Sequence, residues 1–295
     1  MAPRLPLARV RERGKGGEGL TRPIFFLTDF GLADTYVGVV KAVLLGISPG
    51  APIVDLTHDI PPQDVRAGAL ALLTAAPYLP EQAIVLAVVD PGVGTTRRPI
   101  AVEAGGRTFV GPDNGLLSWA LAAPTTTPPQ VVLPNLPSAT MPLANRLAGV
   151  VLDQPRFWLP NVSASFHGRD LFGPVAAHLA AGAAIAEVGS PTSAITALPF
   201  PTPARQADGV RGEVIQVDRF GNLITNLIAA DLPLAPVVQI AGRTIVGLDR
   251  HFQSSAPMIA MLGSSGFLEI AVPNGSAALV LGVGVGAPVT ITPPR

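Results

Sequence analysis

Three groups of residues in this 295-residue chain carry side chains able to do chemistry. The first is Asp90-Pro91-Gly92-Val93-Gly94-Thr95-Thr96-Arg97-Arg98, where a carboxylate ends the apolar run Ile84 to Val89 and two guanidinium groups follow a glycine-punctuated turn. Arginines beyond such a turn can fold back on the acid and hold it ionised; the stretch also reads as an ordinary strand end with a solvated arginine pair. The second is Ser165-Phe166-His167-Gly168-Arg169-Asp170, just before an apolar helix-like run. Gly168 leaves the His167 imidazole open for general-base or relay work, with a purely structural histidine as the alternative. His58, His178 and His251 have no comparable setting, and no two histidines show the i, i+4 spacing of a metal site. The third is Asp218-Arg219-Phe220-Gly221-Asn222, in which Asn222 offers donors and acceptors to an adenine edge and Phe220 a stacking face, or which is a plain hairpin turn.

The elements that must position these groups follow from periodicity. Ile24 to Leu27 is a short apolar run opening into Thr28-Asp29-Phe30-Gly31, Ile53 to Leu56 repeats it, and residues 84–89 make a third. Helical spacing falls between them, over Tyr36 to Leu45 and Val65 to Ala75, and again over Leu171 to Leu179. This alternation predicts an α/β domain with a mainly parallel sheet and helices on both faces. Asp29 and Asp90 then end neighbouring strands and share one crevice at their carboxyl ends. A carboxylate there can chelate a ribose diol; for Asp29 a helix cap or Asx-turn is the alternative.

Pro-rich segments divide the chain. Residues 1–22 form a basic tail expected to be disordered, 23–197 the α/β domain with a Pro/Thr-rich insertion loop at 122–144, 198–209 a linker, and 210–295 an all-β domain built as a small barrel. That last region has short alternating strands at Gly212–Val217, Leu223–Ile228, Val237–Ile240, Thr244–Val246, Leu268–Val272 and Val289–Thr292, with no convincing helix. Gly263-Ser264-Ser265-Gly266 offers hydroxyls and amides to a carboxylate. Gly282-Val283-Gly284-Val285-Gly286 is not a dinucleotide loop, because a strand rather than a helix follows it.

Composition narrows the function classes. With no cysteine, thiolate nucleophiles, disulfides and zinc-thiolate sites are excluded. Twenty basic and twenty acidic residues balance, but the first 22 residues hold six basic against two acidic, leaving 14 against 18 in the body, a net of −4. A body of that charge is a poor nucleic-acid binder. No apolar stretch suggests a membrane span or a secretory signal, so a cytoplasmic location is the expectation.

Together, Thr28-Asp29-Phe30-Gly31, Asp90-Pro91-Gly92-Val93-Gly94, Gly111-Pro112-Asp113-Asn114-Gly115, Phe166-His167-Gly168-Arg169-Asp170 and Phe220-Gly221-Asn222 resemble, in order, the S-adenosyl-L-methionine (SAM) hydroxide adenosyltransferases, relatives of fluorinase and chlorinase. The resemblance implies a homotrimer with SAM bound between the N-terminal domain of one subunit and the C-terminal domain of its neighbour. It implies metal-free, cofactor-free displacement at the ribose C5′ by a water-derived oxygen, giving adenosine and L-methionine. Asp90, Arg97 and His167 would be the catalytic triad. Asp29 would hold the ribose hydroxyls, and Asp34, Asp218, Phe220, Asn222 and Ser265 would complete the substrate contacts. A halogenase is expected to carry Tyr in place of Asp90 and of His167. The alternatives are a non-catalytic SAM or adenosine sensor, a halogenase-like transferase using another nucleophile, and a nucleoside hydrolase or phosphorylase releasing adenine.

Overall fold

Strand β1 (Ile24–Thr28), helix α1 (Tyr36–Ile47), β2 (Ile53–Thr57), α2 (Val65–Ala75), β3 (Ile84–Val88), β4 (Pro99–Ala104) and β5 (Arg107–Pro112) build the first half of the N-terminal region. It continues through α3 (Ser118–Ala122), β6 (Thr140–Pro142), β7 (Ala148–Val151), α4 (Gly173–Ala180), α5 (Ile185–Val188), β8 (Ser190–Pro191) and β9 (Ala194–Thr196). These come from a computed structural model that describes residues 21–123, 139–143 and 147–294. Residues 1–20 of the basic tail, with its expected disorder, and most of the Pro/Thr-rich insertion fall outside the described residues, whereas Thr21 and Arg22, counted with the tail, are bonded to the domain: Thr21 Oγ1 donates to the Gly50 carbonyl, and the Arg22 side chain donates to the Gln82 carbonyl and to Thr108 Oγ1. The described end of that insertion is strand β6, paired with β9.

The N-terminal sheet has the order β2-β1-β3-β5-β4-β7-β8. It is mixed: β2, β1, β3 and β5 run parallel, while β4, β7 and β8 are added antiparallel through the β4–β5 hairpin. The chain reverses its winding between β1 and β3, and a crevice opens at their carboxyl ends. Strand β3 is buried throughout because both faces are covered. Val85 and Ala87 face a cluster with Leu70 and Leu73 of α2, whereas Ile84, Leu86 and Val88 face Val40 and Leu44 of α1 and Val175 of α4. Asp64 caps α2 by accepting the N–H of Ala67 at 2.9 Å.

The C-terminal region comprises β10 (Ala204–Gln206), β11 (Gly209–Val217), β12 (Leu223–Ile228), β13 (Val237–Ile240), β14 (Arg243–Val246), β15 (Ile259–Leu262), β16 (Phe267–Ala271), α6 (Ala277–Leu281) and β17 (Pro288–Thr292). Its strands are antiparallel in the order β14-β13-β17-β11-β12-β16-β15, wrapped around Val214, Leu223, Leu268 and Val289. Helix α6 corrects the helix-free expectation. Ser276 caps it by accepting the N–H of Leu279, and Gly282 ends it in the left-handed conformation; five residues are too few for periodicity to reveal. Strand β10 lies within the segment expected to be a linker, and Phe200 of that segment packs on Trp119 at 5.0 Å.

Candidate active site

In-register pairing of Thr28 with Val88 sets Asp29 and Asp90 just beyond adjacent strand ends. The turn after Asp90 is closed by Val93 N–H donating to the Asp90 carbonyl and Thr95 N–H to Gly92. It returns Arg97 to the acid. Arg97 Nε donates to Asp90 Oδ1 at 2.9 Å and Nη2 to Oδ2 at 2.5 Å. Nη2 also lies 2.7 Å from His167 Nδ1. The side chains of Arg97 and Asp90 are only 9% and 6% exposed, so this fork operates away from bulk water. Arg97 also stacks over the Phe172 ring at 5.0 Å. Asn114 fixes the base of the turn, its Nδ2 donating to the Val89 carbonyl.

His167 is carried on a different element and brought in by packing. It precedes a π-helical turn, Gly168–Phe172, that runs into α4. The completely buried Asp170 anchors this turn by accepting from the Ser163 amide and hydroxyl and from Arg169. Burial opposes its ionisation, but Arg169 and Ser163 outweigh that and hold its pKa below the usual carboxylate value. Gly94, at φ +77°, meets the loop leading into this turn so closely that a Cβ would lie 2.3 Å from the Ala164 carbonyl oxygen. The His167 pKa is lowered, first by burial and then by Arg97, with Asp90 and Asp170 only partly compensating. A neutral imidazole accepting from Arg97 at Nδ1 carries its proton on Nε2.

Asp29 does not cap α1, whose N-cap is Thr35. Its Oδ2 instead accepts the amide of Gln63 at 2.7 Å, across the crevice in the β2–α2 loop. Gln63 holds the left-handed conformation at φ 67°, which sequence spacing gave no reason to expect. Phe30, next to Asp29 in the chain, and Phe166, next to His167, pack together with Tyr36. Phe30 and Phe166 are 5.7 Å apart, Tyr36 and Phe166 5.2 Å, each edge to face. A Cβ on Gly168 would lie 3.1 Å from the Phe30 ring, so a larger residue there would press on these rings. Asp34 is exposed beside them, on a groove shared with Leu32 and Lys41. Arg98, for which the sequence suggested no role, is a clamp: it donates twice to Asp113 Oδ2 and once each to Thr192 and the Ala194 carbonyl.

The remaining candidates lie in the C-terminal region. Asp218 is committed to its own turn, Oδ1 accepting from the amides of Phe220 and Asn222 and Oδ2 from Asn222 Nδ2. Asn222 is thereby held nearly buried with Oδ1 free of that bond, while Phe220 projects, 76% exposed. Ser265 sits in the β15–β16 turn. Glu269, missed in the sequence, is a buried carboxyl whose pKa is raised by burial and then by Asp218. Among the described residues no hydrogen bond or ion pair joins these groups to Asp29, Asp90 or His167 of the same chain. Nor, among those residues, is any cluster of three or more His, Asp or Glu arranged to hold a metal ion, and no helix is long and apolar enough to cross a membrane.

Residues 24–189 match the SAM hydroxide adenosyltransferase N-terminal domain and residues 212–290 the C-terminal domain. The chain is 48% identical to a (R)-S-adenosyl-L-methionine hydrolase of Thermus thermophilus over 92% of its own length and 99% of the relative's. It is 42% identical to the protein of the same name from Salinispora tropica, covering 91% and 97%. A solved structure of an uncharacterized conserved protein from Thermotoga maritima superposes with a TM-score of 0.78 at 33% identity, covering 92% of this chain and all of the other. With both domain signatures in sequence order and such identity along nearly its whole length, the chain belongs to the SAM hydroxide adenosyltransferase family.

Proposed function

We propose that this protein hydrolyses SAM to adenosine and L-methionine, with Asp90, Arg97 and His167 acting on the attacking water. The observation that carries the reading is the shared Arg97 donor, bonded at once to Asp90 and to His167 Nδ1. A water lone pair bonds to C5′, the C5′–S bond breaks with its electrons going to sulfur, and one water proton departs. The sulfonium is already a good leaving group, so no acid is needed there and the catalytic task is to orient and deprotonate water in line. With Nδ1 occupied, His167 presents Nε2–H as a donor that orients the water, and Asp90 takes the proton. Asp29 chelates the ribose diol, and Asp34 meets the substrate's amino-acid end. The displacement requires neither metal nor cofactor.

The homotrimer belongs to the same proposal. Asn222, Phe220 and Ser265 serve a neighbour's crevice, Asp218 acting through its hold on Asn222. The exposure of Phe220 on one region and of Leu32, Tyr36 and Val39 on the other supports this pairing of faces. SAM is charged and does not cross a bilayer unaided, so the enzyme shares its compartment, here the cytoplasm. The test is incubation with SAM in ¹⁸O-water. Labelled 5′-hydroxyl adenosine and methionine support the reading; free adenine, or tight SAM binding without turnover, overturns it.

A further inference from the structure

His58, which had no catalytic setting in the sequence, lies at the carboxyl end of β2 at the centre of a relay. It is 4% exposed and packs edge-on to Phe26 at 4.8 Å. Its Nδ1 is 2.8 Å from Thr28 Oγ1, and its Nε2 is 3.1 Å from Asp55 Oδ1, off the axis of a straight hydrogen bond. Asp55 Oδ2 accepts from Lys41 Nζ at 2.6 Å. Burial resists ionisation of Asp55, but Lys41 and His58 prevail and hold its pKa low. A carboxylate facing Nε2 selects the tautomer with the proton there. Nδ1 is then bare and takes the Thr28 hydroxyl proton. That turns a Thr28 lone pair toward the Phe30 amide, 3.2 Å away. The His58 carbonyl accepts the Gly31 amide at 2.8 Å. The turn 28–31 is thus tied on both sides of Asp29, and the ties converge on one residue, the Thr28 tie on the His58 ring and the Gly31 tie on its backbone carbonyl.

We propose that His58 is a positioning residue: through Thr28 it fixes the aim of Asp29, and Lys41 with Asp55 fixes its tautomer. The inference rests on the ribose role proposed for Asp29. The consequence is selective, because loosening the turn costs the diol contact and not the adenine contact. The test is calorimetric binding of adenosine and 2′-deoxyadenosine to the full-length protein, with Thr28→Val and Asp55→Asn. The wild type is expected to prefer adenosine by about tenfold. In Thr28→Val, which keeps shape and removes the hydroxyl, the preference should fall toward one while 2′-deoxyadenosine affinity stays within about twofold. Asp55→Asn, changed at the relay's partly exposed end, should lower it by a smaller factor and keeps the question decidable if Thr28→Val folds poorly. Unchanged preference in the folded variants overturns the positioning role. A wild type indifferent to the 2′-hydroxyl overturns instead the reading of Asp29.

Discussion

Arg97 divides its donors between two partners, and that division sets what each partner can do. Asp90 stays an acceptor on both oxygens, and His167 is fixed as a donor at Nε2. Asp90→Asn keeps size and loses the base, and should lower kcat by about 10²- to 10⁴-fold in a discontinuous adenosine assay; it also leaves the buried Arg97 guanidinium without its counter-charge, so the thermal midpoint should fall and the assay is run well below it. Arg97→Ala strands a buried carboxylate and should cost about 3–5 kcal/mol in urea unfolding. The direction of the His167 shift gives the pH behaviour. Its folded pKa lies below the ordinary 6.5, so the imidazole stays neutral to lower pH than a free one. The acid limb of kcat/KM that disappears in His167→Gln should therefore fall below pH 6.5. The His167 contribution to stability should be complete above 6.5 and be lost as the pH falls toward the lowered value, because the unfolded imidazole is protonated first. A limb above 6.5 would contradict the assigned state.

At the scale of elements, the site is the seam between the turn after β3 and the π-helical turn before α4. Gly94 is where the first meets Ala164, in the loop that leads into the second. Substituting Gly94→Ala places a side chain on a backbone at φ +77° and a Cβ 2.3 Å from the Ala164 carbonyl, so the His167 turn must move away from Arg97. The expected cost is about 1–2 kcal/mol in stability, while kcat should fall by about 10²-fold because a small displacement of aligned groups is amplified in rate; parallel melts and kinetics separate the two. The sequence made this seam half legible. Strand-ending acids, Gly94 and His167 were visible because chain-local chemistry marks them, and β12, β13 and α2 kept their read boundaries because their periodicity was uninterrupted. Gln63, the Phe30–Tyr36–Phe166 rings, the Arg98 clamp and the His58 relay were not, because each is made by residues brought together from distant positions. The antiparallel half of the sheet was hidden for the same reason: the β4–β5 hairpin resembles any other pair of apolar runs until its register is known.

At the scale of the whole molecule, the proposal divides the site between neighbouring subunits, and among the described residues no hydrogen bond or ion pair joins its two halves within one chain, so activity should depend on which subunits carry which half. Crippling the crevice with Asp90→Asn and the other wall with Asn222→Ala gives two inactive proteins. If each site takes its crevice from one subunit and its wall from the next around a closed ring, unfolding and refolding an equal mixture should restore about a quarter of the sites, those pairing an intact crevice with an intact neighbouring wall. If each chain holds a complete site, mixing restores none. The proposed shared site would link assembly to pocket formation. Phe220, exposed in the single chain, would become buried on association, so Phe220→Ser should shift the mass seen by light scattering toward monomer at low micromolar protein and lose activity in the same concentration range. Loss of activity with assembly intact would assign Phe220 to the ligand alone, whereas dissociation with activity retained would remove the shared site.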